Sequence, residues 1–375
     1  MARKRFAVAV IVVMTLAVSS WGAGPTKPDW AGAWQSGTVA PYSWARHDGA
    51  FYAPTGLVYF LGGRLSDGTT DGSIWTFNPA TSAYTDTLVD MPIPISNYTV
   101  NVLTDATGTG FYVFCGRNGA GTQNFVTQVY YPATGTTTQL AGDNYPGDAT
   151  HTCSGGLNVV FNNKAYVAGG YDGINFNPWT YVFDPMAAAG SRWTRLTGAD
   201  LATPRAYIMG AVVDGLIYAI GGANSDGAGG LANLAIVERL DPAAGTPSWN
   251  DAAVADLPAV CSSSRAWGFD ASSTYQDPVD HTPLASKIIS GCGVWSTPVN
   301  NVYAYTVATN TWAAFPSLIT TRRDLAAELV PLASAPALWV WGGYDGSGAN
   351  VTTNACERYP LFDTVPVELV TFTAD

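Results

Sequence analysis

The chain of 375 residues has a formal net charge of −11, and 47% of its residues are hydrophobic whereas only 12% are charged. This hydrophobic content is enough for a packed core and excludes an intrinsically disordered protein. The acidic balance disfavours nucleic acid and anionic membrane surfaces as partners, because both carry negative charge themselves.

The N-terminal segment predicts export. Three basic residues, Arg3–Arg5, precede an apolar stretch, Phe6–Val18, and small residues then lead to Gly22. This pattern is typical of a signal peptide over residues 1–22, cleaved after Gly22. The apolar stretch is shorter than the roughly 20 residues that span a bilayer, and a retained N-terminal anchor is the alternative. We expect a secreted protein, extracellular or periplasmic, with no membrane span after cleavage and a net charge of −14 once Arg3–Arg5 are removed.

Six short apolar runs along the chain end in a glycine doublet or in a pair of cysteine and glycine. The first residue of each pair stands at position 62, 115, 169, 221, 292 or 342, so that successive steps are 53, 54, 52, 71 and 50 residues. A second strand, a turn and an aromatic residue such as Trp193, Trp249 or Trp312 follow most of the pairs. The units have no helical periodicity, and about 50 residues suits one four-stranded sheet. The sequence therefore predicts six repeats within residues 23–362.

These features resemble the Kelch motif, which combines an apolar strand, Gly-Gly, an aromatic strand, Asp-Pro and a Trp; the resemblance covers roughly residues 30–359. It implies an all-β, six-bladed Kelch-type β-propeller with four-stranded antiparallel blades. The sixth unit has no outer strand after its third, and Trp34 stands in a segment that fits this place. We expect an N-terminal outer strand to close the ring, because closure removes an exposed sheet edge. An open or seven-bladed ring is the alternative.

Two segments depart from the repeat. An insertion near Ser272–Leu284 stretches the fifth unit, and insertions of this kind map to loops, often on a binding face. The C-terminal tail, residues 363–375, contains the stretch Val365–Phe372. That stretch is similar to the one before C-terminal sorting segments in exported bacterial proteins, and the alternative is an additional strand.

Five cysteines suggest two disulfides. Cys115 and Cys292 occupy the doublet position, whereas Cys153 and Cys261 stand at or just before a first strand. The end of the second strand and the start of the first share one end of an antiparallel blade. Cys115–Cys153 and Cys261–Cys292 are therefore the suggested pairs, and Cys356 is left free.

Arginines cluster at this same end of the predicted blades. Seven of the eleven arginines after residue 22 fall near the start of a first strand or just after a doublet, and aromatic residues of other post-doublet loops join them. Arginine binds carboxylate and sulfate groups with two parallel hydrogen bonds, and aromatic rings stack on sugars or peptides. The candidate ligand-binding residues are Arg46, Arg64, Arg117, Arg205, Arg265, Arg323, Tyr171, Trp295 and Tyr344.

The sequence favours an exported binding or interaction module for an anionic small molecule, a carbohydrate or a protein ligand, without metal or cofactor. The arginines could instead pair with carboxylates or backbone carbonyls between blades. The alternative function is a sugar-active enzyme similar to the sialic-acid mutarotase of the Kelch type, for which Asp324 next to Arg323, or Glu328, would supply a channel carboxylate beside an arginine. A third hypothesis is a passive component of a surface assembly.

Overall fold

The structure, a computed structural model, describes residues 30–348 and 350–364. It confirms the all-β prediction: six antiparallel sheets form the blades of a propeller, five of them four-stranded, whereas the first gains a fifth short strand, Trp44–Ala45. The helical part of the described chain consists of two 3₁₀ turns, Ala141–Asp143 and Val307–Thr309. The predicted signal peptide, residues 1–22, and the tail from Val365 onward lie outside the described residues.

The strands of the described chain follow one another without α-helices between them. The N-terminal strand and the strands of the first three blades are β1 (Gln35–Ser36), β2 (Trp44–Ala45), β3 (Gly49–Tyr52), β4 (Leu57–Leu65), β5 (Thr70–Asn78), β6 (Ala83–Asp90), β7 (Val100–Thr104), β8 (Thr109–Val113), β9 (Gln128–Tyr131), β10 (Thr136–Gln139), β11 (Leu157–Phe161), β12 (Lys164–Ala168), β13 (Thr180–Phe183) and β14 (Trp193–Arg195). The remaining strands are β15 (Met209–Val213), β16 (Leu216–Ile220), β17 (Ala223–Ser225), β18 (Leu231–Asn233), β19 (Val237–Leu240), β20 (Trp249–Asn250), β21 (Ala266–Phe269), β22 (Tyr275–Gln276), β23 (Lys287–Gly291), β24 (Val302–Thr306), β25 (Thr311–Phe315), β26 (Ala326–Val330), β27 (Ala337–Trp341), β28 (Cys356–Pro360) and β29 (Phe362–Asp363).

Each blade is an antiparallel meander that runs outward from a central channel. In blade three, β11 pairs with β12, β12 with β13 and β13 with β14. The first strands β3, β7, β11, β15, β21 and β26 contribute the residues that line the channel. Because neighbouring strands alternate in direction, each first strand begins at the end of the propeller where the second strand finishes in its doublet. We call this end the doublet face.

The N-terminal strand closes the ring, as the sequence predicts. Gln35 and Ser36 of β1 pair with Arg358 and Glu357 of β28, and β1 thereby becomes the outer strand of blade six. The preceding Trp34 is buried, and its indole N–H donates to the carbonyl of Pro316 at 2.8 Å. The sixth sheet is therefore built from both ends of the described chain.

The glycine doublets have the backbone conformation that their position requires. Gly343 has a φ of 100°, and a Cβ there would lie 2.6 Å from the carbonyl oxygen of Arg323. An L side chain is excluded on both grounds. Blade five departs from the pattern: positive φ falls on Val294, at 70°, one residue after the pair Cys292–Gly293.

Aromatic side chains fill the interfaces between blades. Between blades one and six, the ring centroids of Phe77 and Trp341 are 5.6 Å apart, and Trp341 stacks on Trp339 at 5.7 Å. Phe77 and Trp341 are fully buried. Truncation of such a side chain to alanine typically costs about 3–5 kcal/mol, so these interfaces hold the blades in fixed register around the channel.

Both suggested disulfides are confirmed. Cys115 and Cys153 link blades two and three with a Cα–Cα distance of 5.7 Å, and Cys261 and Cys292 lie 4.9 Å apart in blade five. Cys356 is free and buried in β28. All four bonded cysteines lie at the doublet face, so the bridges reinforce the end of the propeller that carries the arginines.

The insertion of blade five lies at the other end of the propeller. It connects β21 to β23, a turn opposite the doublet face, and its strand β22 pairs with β29. The loop prediction for Ser272–Leu284 therefore holds in part, because two of its residues, Tyr275 and Gln276, form a strand. This insertion is remote from the arginines.

Candidate functional site

Six residues form a closed ring of backbone hydrogen bonds around the mouth of the channel at the doublet face. Each precedes a first strand and has a φ between 53° and 66°. The N–H of each donates to the carbonyl of its counterpart in the preceding blade at 2.5–3.0 Å, and Arg46 closes the circle by donating to Asp324. We call this set the axial ring; its members are Arg46, Asn97, Gly155, Tyr207, Ser263 and Asp324.

The left-handed backbone of the axial ring has an energetic cost. Asparagine, glycine and aspartate adopt a left-handed backbone readily, and they stand at Asn97, Gly155 and Asp324. Arginine and tyrosine, at Arg46 and Tyr207, do not. A left-handed conformation costs such residues roughly 1–2 kcal/mol each. Strained non-glycine residues that the surrounding structure holds in place are concentrated at functional sites. The ring therefore directs attention to the side chains that it carries at the channel mouth.

Two arginines of the doublet face lie against the same pair of aromatic rings. The guanidinium carbon of Arg323 is 4.5 Å from the ring centroids of both Trp295 and Tyr344. That of Arg46 lies 5.1 Å from Trp295 and 5.5 Å from Tyr344. Cation–π contacts of this kind contribute about 0.5–2 kcal/mol each, depending on exposure. We call Arg46, Arg323, Trp295 and Tyr344 the arginine–aromatic cluster.

One carboxylate serves both guanidinium groups. Asp324 accepts a hydrogen bond from Nη1 of Arg323 at 2.5 Å, and its Oδ2 lies 3.6 Å from Nε of Arg46. These three side chains leave one positive charge without a partner. The cluster therefore presents a positive site on a chain whose overall charge is negative.

A groove of about 420 Å³ opens beside the cluster, between blades five and six. Arg323 and Tyr344 form its charged and aromatic wall, although both are largely buried. Hydroxyl and amide groups complete the lining. The residues that supply them are Ser296, Thr297, Thr321 and Asn350.

Arg117 and Tyr171 form a second pair beside the axial ring. Nη2 of Arg117 donates to the carbonyl of Tyr171 at 2.8 Å, and the guanidinium carbon lies 5.2 Å from the Tyr171 ring. Tyr207 connects this pair to the cluster, because its ring lies 6.5 Å from Tyr171 and 4.7 Å from Trp295. Six of the nine predicted residues are thus brought together, in two adjoining groups.

The prediction for Arg205 is wrong. Arg46 and Arg205 stand at the same distance before their doublets, yet the axial-ring residue of blade four is Tyr207, two residues later. The side chain of Arg205 is fully buried, forms an ion pair with Glu238 and donates to the carbonyl of Gly221 at 2.8 Å. It is inaccessible to a ligand. Arg322 forms a similar buried ion pair with Glu357. Both pairs agree with the alternative that arginines pair with carboxylates inside the propeller.

Arg265 lies inside the channel rather than on the face. Its Nε is 3.3 Å from Oδ1 of Asp48, and its Nη2 donates to the carbonyl of Tyr98 at 3.2 Å. The side chain thus crosses from blade five to blades one and two and divides the channel into two parts. Above it lies a cavity of about 30 Å³, which we call the upper cavity, and below it a chamber of about 130 Å³, the lower chamber.

Arg64 forms its hydrogen bond within its own loop and not with the arginine–aromatic cluster. Its Nε donates to the carbonyl of Gly68 at 3.0 Å, within the hairpin that follows the first doublet. The carboxylate of Asp67 in this hairpin accepts from the N–H of Thr69 at 2.9 Å and so stabilises the turn. Arg64 therefore braces its own loop at the doublet face.

The lower chamber contains two carboxyl groups. Asp48 and Glu328 both line it, and Glu328 has no hydrogen-bond or ion-pair partner in the described part of the chain. Glu328 is half-buried, and it lines this chamber inside the channel rather than the outer surface of the propeller. Burial, with repulsion from Asp48, raises the pKa of Glu328 well above its usual range.

The doublet spacing did not identify Tyr207, Asn97 and Asp48. Tyr207 and Asn97 belong to the axial ring, and Asp48 holds Arg265. A usable signal was present: Asn97, Gly155 and Asp324 are the residue types that favour a left-handed backbone. Alignment of the loops on these residues, rather than on the distance to each doublet, would have located the ring.

Residues 30–348 and 350–364 contain no group of three or more His, Cys, Asp or Glu side chains arranged to hold a metal ion. The same two ranges include no helix with the length and hydropathy needed to cross a bilayer. The candidate site thus consists of the axial ring, the arginine–aromatic cluster, the groove and the divided channel.

Comparisons with known proteins agree with this architecture. The Kelch motif matches residues 152–198, a range that includes all four strands of blade three. The solved structure described as "Structure of YjhT" is similar with a TM-score of 0.62 at 17% identity, over 85% of this chain and 95% of YjhT. No curated protein matches the sequence. The chain is therefore a six-bladed β-propeller with a Kelch motif in blade three.

Proposed function

We propose that the protein is an exported binding module that holds an anionic carbohydrate in the groove beside the arginine–aromatic cluster. The observation that carries this proposal is the position of Arg323. Its guanidinium lies between Trp295 and Tyr344 while the same side chain lines a groove of about 420 Å³. A charged donor held by two aromatic rings is pre-organised, so a ligand need not immobilise it.

The lining of the groove supports one class of ligand over the others. Arginine suits carboxylate and sulfate groups, and the hydroxyl and amide groups of Thr321, Ser296 and Asn350 suit sugar hydroxyls. A neutral saccharide would leave the excess positive charge of the cluster without a partner. The proposal therefore specifies an acidic or sulfated saccharide over a neutral one, with an affinity that falls as salt rises.

Titration calorimetry with carboxylated, sulfated and neutral oligosaccharides tests this function. Trp295→Ala, at a partly exposed ring, should weaken binding of the anionic ligand by at least about tenfold, as should Arg323→Gln. Arg195→Gln is the matched control, because Arg195 also lies over an aromatic ring, Trp179 at 4.9 Å, but on β14. Equal affinity of the wild type for neutral and anionic saccharides would reject the proposal.

Export is part of the proposal and has its own test. The signal-peptide pattern of residues 1–22 predicts a mature chain that begins at Ala23. Expression of the full sequence in a bacterium, followed by fractionation and N-terminal sequencing, should give a processed protein outside the cytoplasm. An unprocessed protein in the cytoplasmic fraction would refute the export proposal and leave the binding proposal unaffected.

A second candidate function is acid–base exchange of sugar anomers. It is favoured by the hydrogen bond between Arg323 and Asp324, which sets a carboxylate beside an arginine at the channel mouth. General acid–base catalysis needs such a positioned group. NMR exchange spectroscopy on an acidic sugar should then show faster interconversion with the wild type than with Asp324→Asn. No acceleration by the wild type over buffer would eliminate this candidate.

A further inference from the structure

We propose that the upper cavity binds one small inorganic anion, such as chloride, at the centre of the axial ring. The site is separate in space from the groove, because the cavity lies on the channel axis and the groove lies between blades five and six, although both adjoin the excess positive charge of Arg46 and Arg323. Three observations carry the inference: the size of the cavity, the donors around it that lack a hydrogen-bond acceptor, and the balance of charge.

The size of the upper cavity limits what it can hold. The axial ring forms its rim, Arg265 contributes to its lining, and its volume is about 30 Å³. A cavity needs roughly 10–15 Å³ to accept one water molecule, so this one takes a monatomic ion or about two waters. A sugar ring or another polyatomic ligand is too large. Because Arg265 crosses the channel, the cavity is also separated from the lower chamber.

Two buried donors of the cavity lining have no hydrogen-bond acceptor in the described part of the chain. They are Oγ of Ser263 and Nε of Arg46, which faces Oδ2 of Asp324 at 3.6 Å, beyond hydrogen-bond distance. The Arg46 side chain is 10% exposed and Ser263 is 4% exposed, so bulk water does not solvate either donor. Buried donors in folded proteins almost always have an acceptor, whether protein, water or ion. An acceptor inside the cavity would satisfy both.

The charges around the cavity favour an anion over water as that acceptor. Asp324 is shared by Arg323, at 2.5 Å, and Arg46, at 3.6 Å, and Asp48 faces Arg265 at 3.3 Å, so three guanidinium groups face two carboxylates and one positive charge is in excess. Glu328 lies below Arg265, and its raised pKa reduces its negative charge. His47 adds no positive charge, because burial lowers the pKa of its imidazole. One monovalent anion would therefore neutralise the single positive charge in excess around the cavity.

Thermal unfolding in chloride and in gluconate at equal ionic strength tests the site, because gluconate is too large for the cavity. The wild type should unfold at a higher temperature in chloride, and its midpoint should rise with the logarithm of the chloride concentration. Ser263→Gly removes the hydroxyl donor while keeping a residue that accepts positive φ, and should weaken chloride binding by about tenfold. Ser296→Ala, in the groove, should respond to chloride as the wild type does.

Crystals of the wild type soaked in bromide give a second readout that requires no variant. An anomalous peak within hydrogen-bonding distance of Arg46 Nε and Ser263 Oγ would support the proposal. Water in this place with no anomalous signal, or identical midpoints in chloride and gluconate, would overturn it. Loss of saccharide binding in the groove would leave this result unchanged, so failure of the proposed function and failure of the anion site are distinguishable.

Discussion

Arg205 and Glu238 form an ion pair in which both side chains are completely excluded from solvent. Glu238 also accepts a hydrogen bond from the backbone N–H of Ala202 at 3.0 Å. Glu238→Gln leaves the guanidinium buried without its counter-charge, and we expect a loss of about 3–5 kcal/mol in the free energy of unfolding. Denaturation in urea measures this loss.

The exposed pair Lys164–Asp184 is the matched control for this prediction. Its charged atoms are 2.8 Å apart, but the two side chains are 45% and 30% exposed. Asp184→Asn should therefore cost less than about 1 kcal/mol. Equal losses in the two variants would show that burial does not amplify the effect of removing one charge in this fold.

The cysteines give a prediction about chemical reactivity. Burial raises the pKa of the Cys356 thiol to about 12, and the thiolate is the form that reacts with alkylating agents. The native protein should resist alkylation at pH 8, and after denaturation without reductant it should take up one label. Five labels after denaturation without reductant would disprove both bridges. Each bridge closes a loop of 31 or 38 residues, so its removal should cost roughly 3–4 kcal/mol.

Glu328 should make the protein less stable as pH rises. Its folded pKa is raised by burial and by repulsion from Asp48, so the folded state binds its proton more tightly than the unfolded state does. That stabilisation is complete below about pH 4.5 and is lost as pH rises through the folded pKa, at up to about 1.4 kcal/mol per pH unit. Glu328→Gln should be less sensitive to pH between 4.5 and 8. An identical pH dependence in the two proteins would contradict the assignment.

His47 should act in the opposite direction. Both of its ring nitrogens are buried without a partner in the described part of the chain, and burial, with the charge of Arg265, lowers its pKa well below the usual range. The unfolded state therefore binds the extra proton, and stability falls as pH decreases below about 6.5. His47→Phe keeps a ring beside Trp44 and Phe60. Its unfolding free energy should change less between pH 6.5 and 5 than that of the wild type.

The repeat architecture could be predicted because it depends on local chemistry. Gly343 can have no side chain where it meets the backbone of Arg323, and this constraint recurs in each blade, at steps of 50–54 residues except for the step of 71 into blade five. The two disulfides could be predicted because the end of each second strand and the start of each first strand lie at the same end of a blade. Trp34 could be assigned to the closing strand because it stands where the repeat requires a large aromatic residue.

The interior of the channel could not be predicted in the same way. A difference of two residues in loop length moves Arg205 from the axial ring to a buried position, and loop length is not fixed by the repeat. Arg265 acquires its role by reaching Asp48, which is 217 residues away in sequence. Contacts of that kind depend on how the six blades converge, and no local sequence pattern at either residue indicates them.

The pairing of β1 with β28 sets the order in which this molecule can be assembled. Gln35 pairs with Arg358, 323 residues later, so the first strand of the described chain cannot join its sheet until β28 has been synthesised. Contacts so distant in sequence form slowly, because the chain loses the conformational entropy of a very large loop before the contacts stabilise it. A nascent chain stalled before β28 would lack the sheet edge with which β1 pairs and could not complete its last blade.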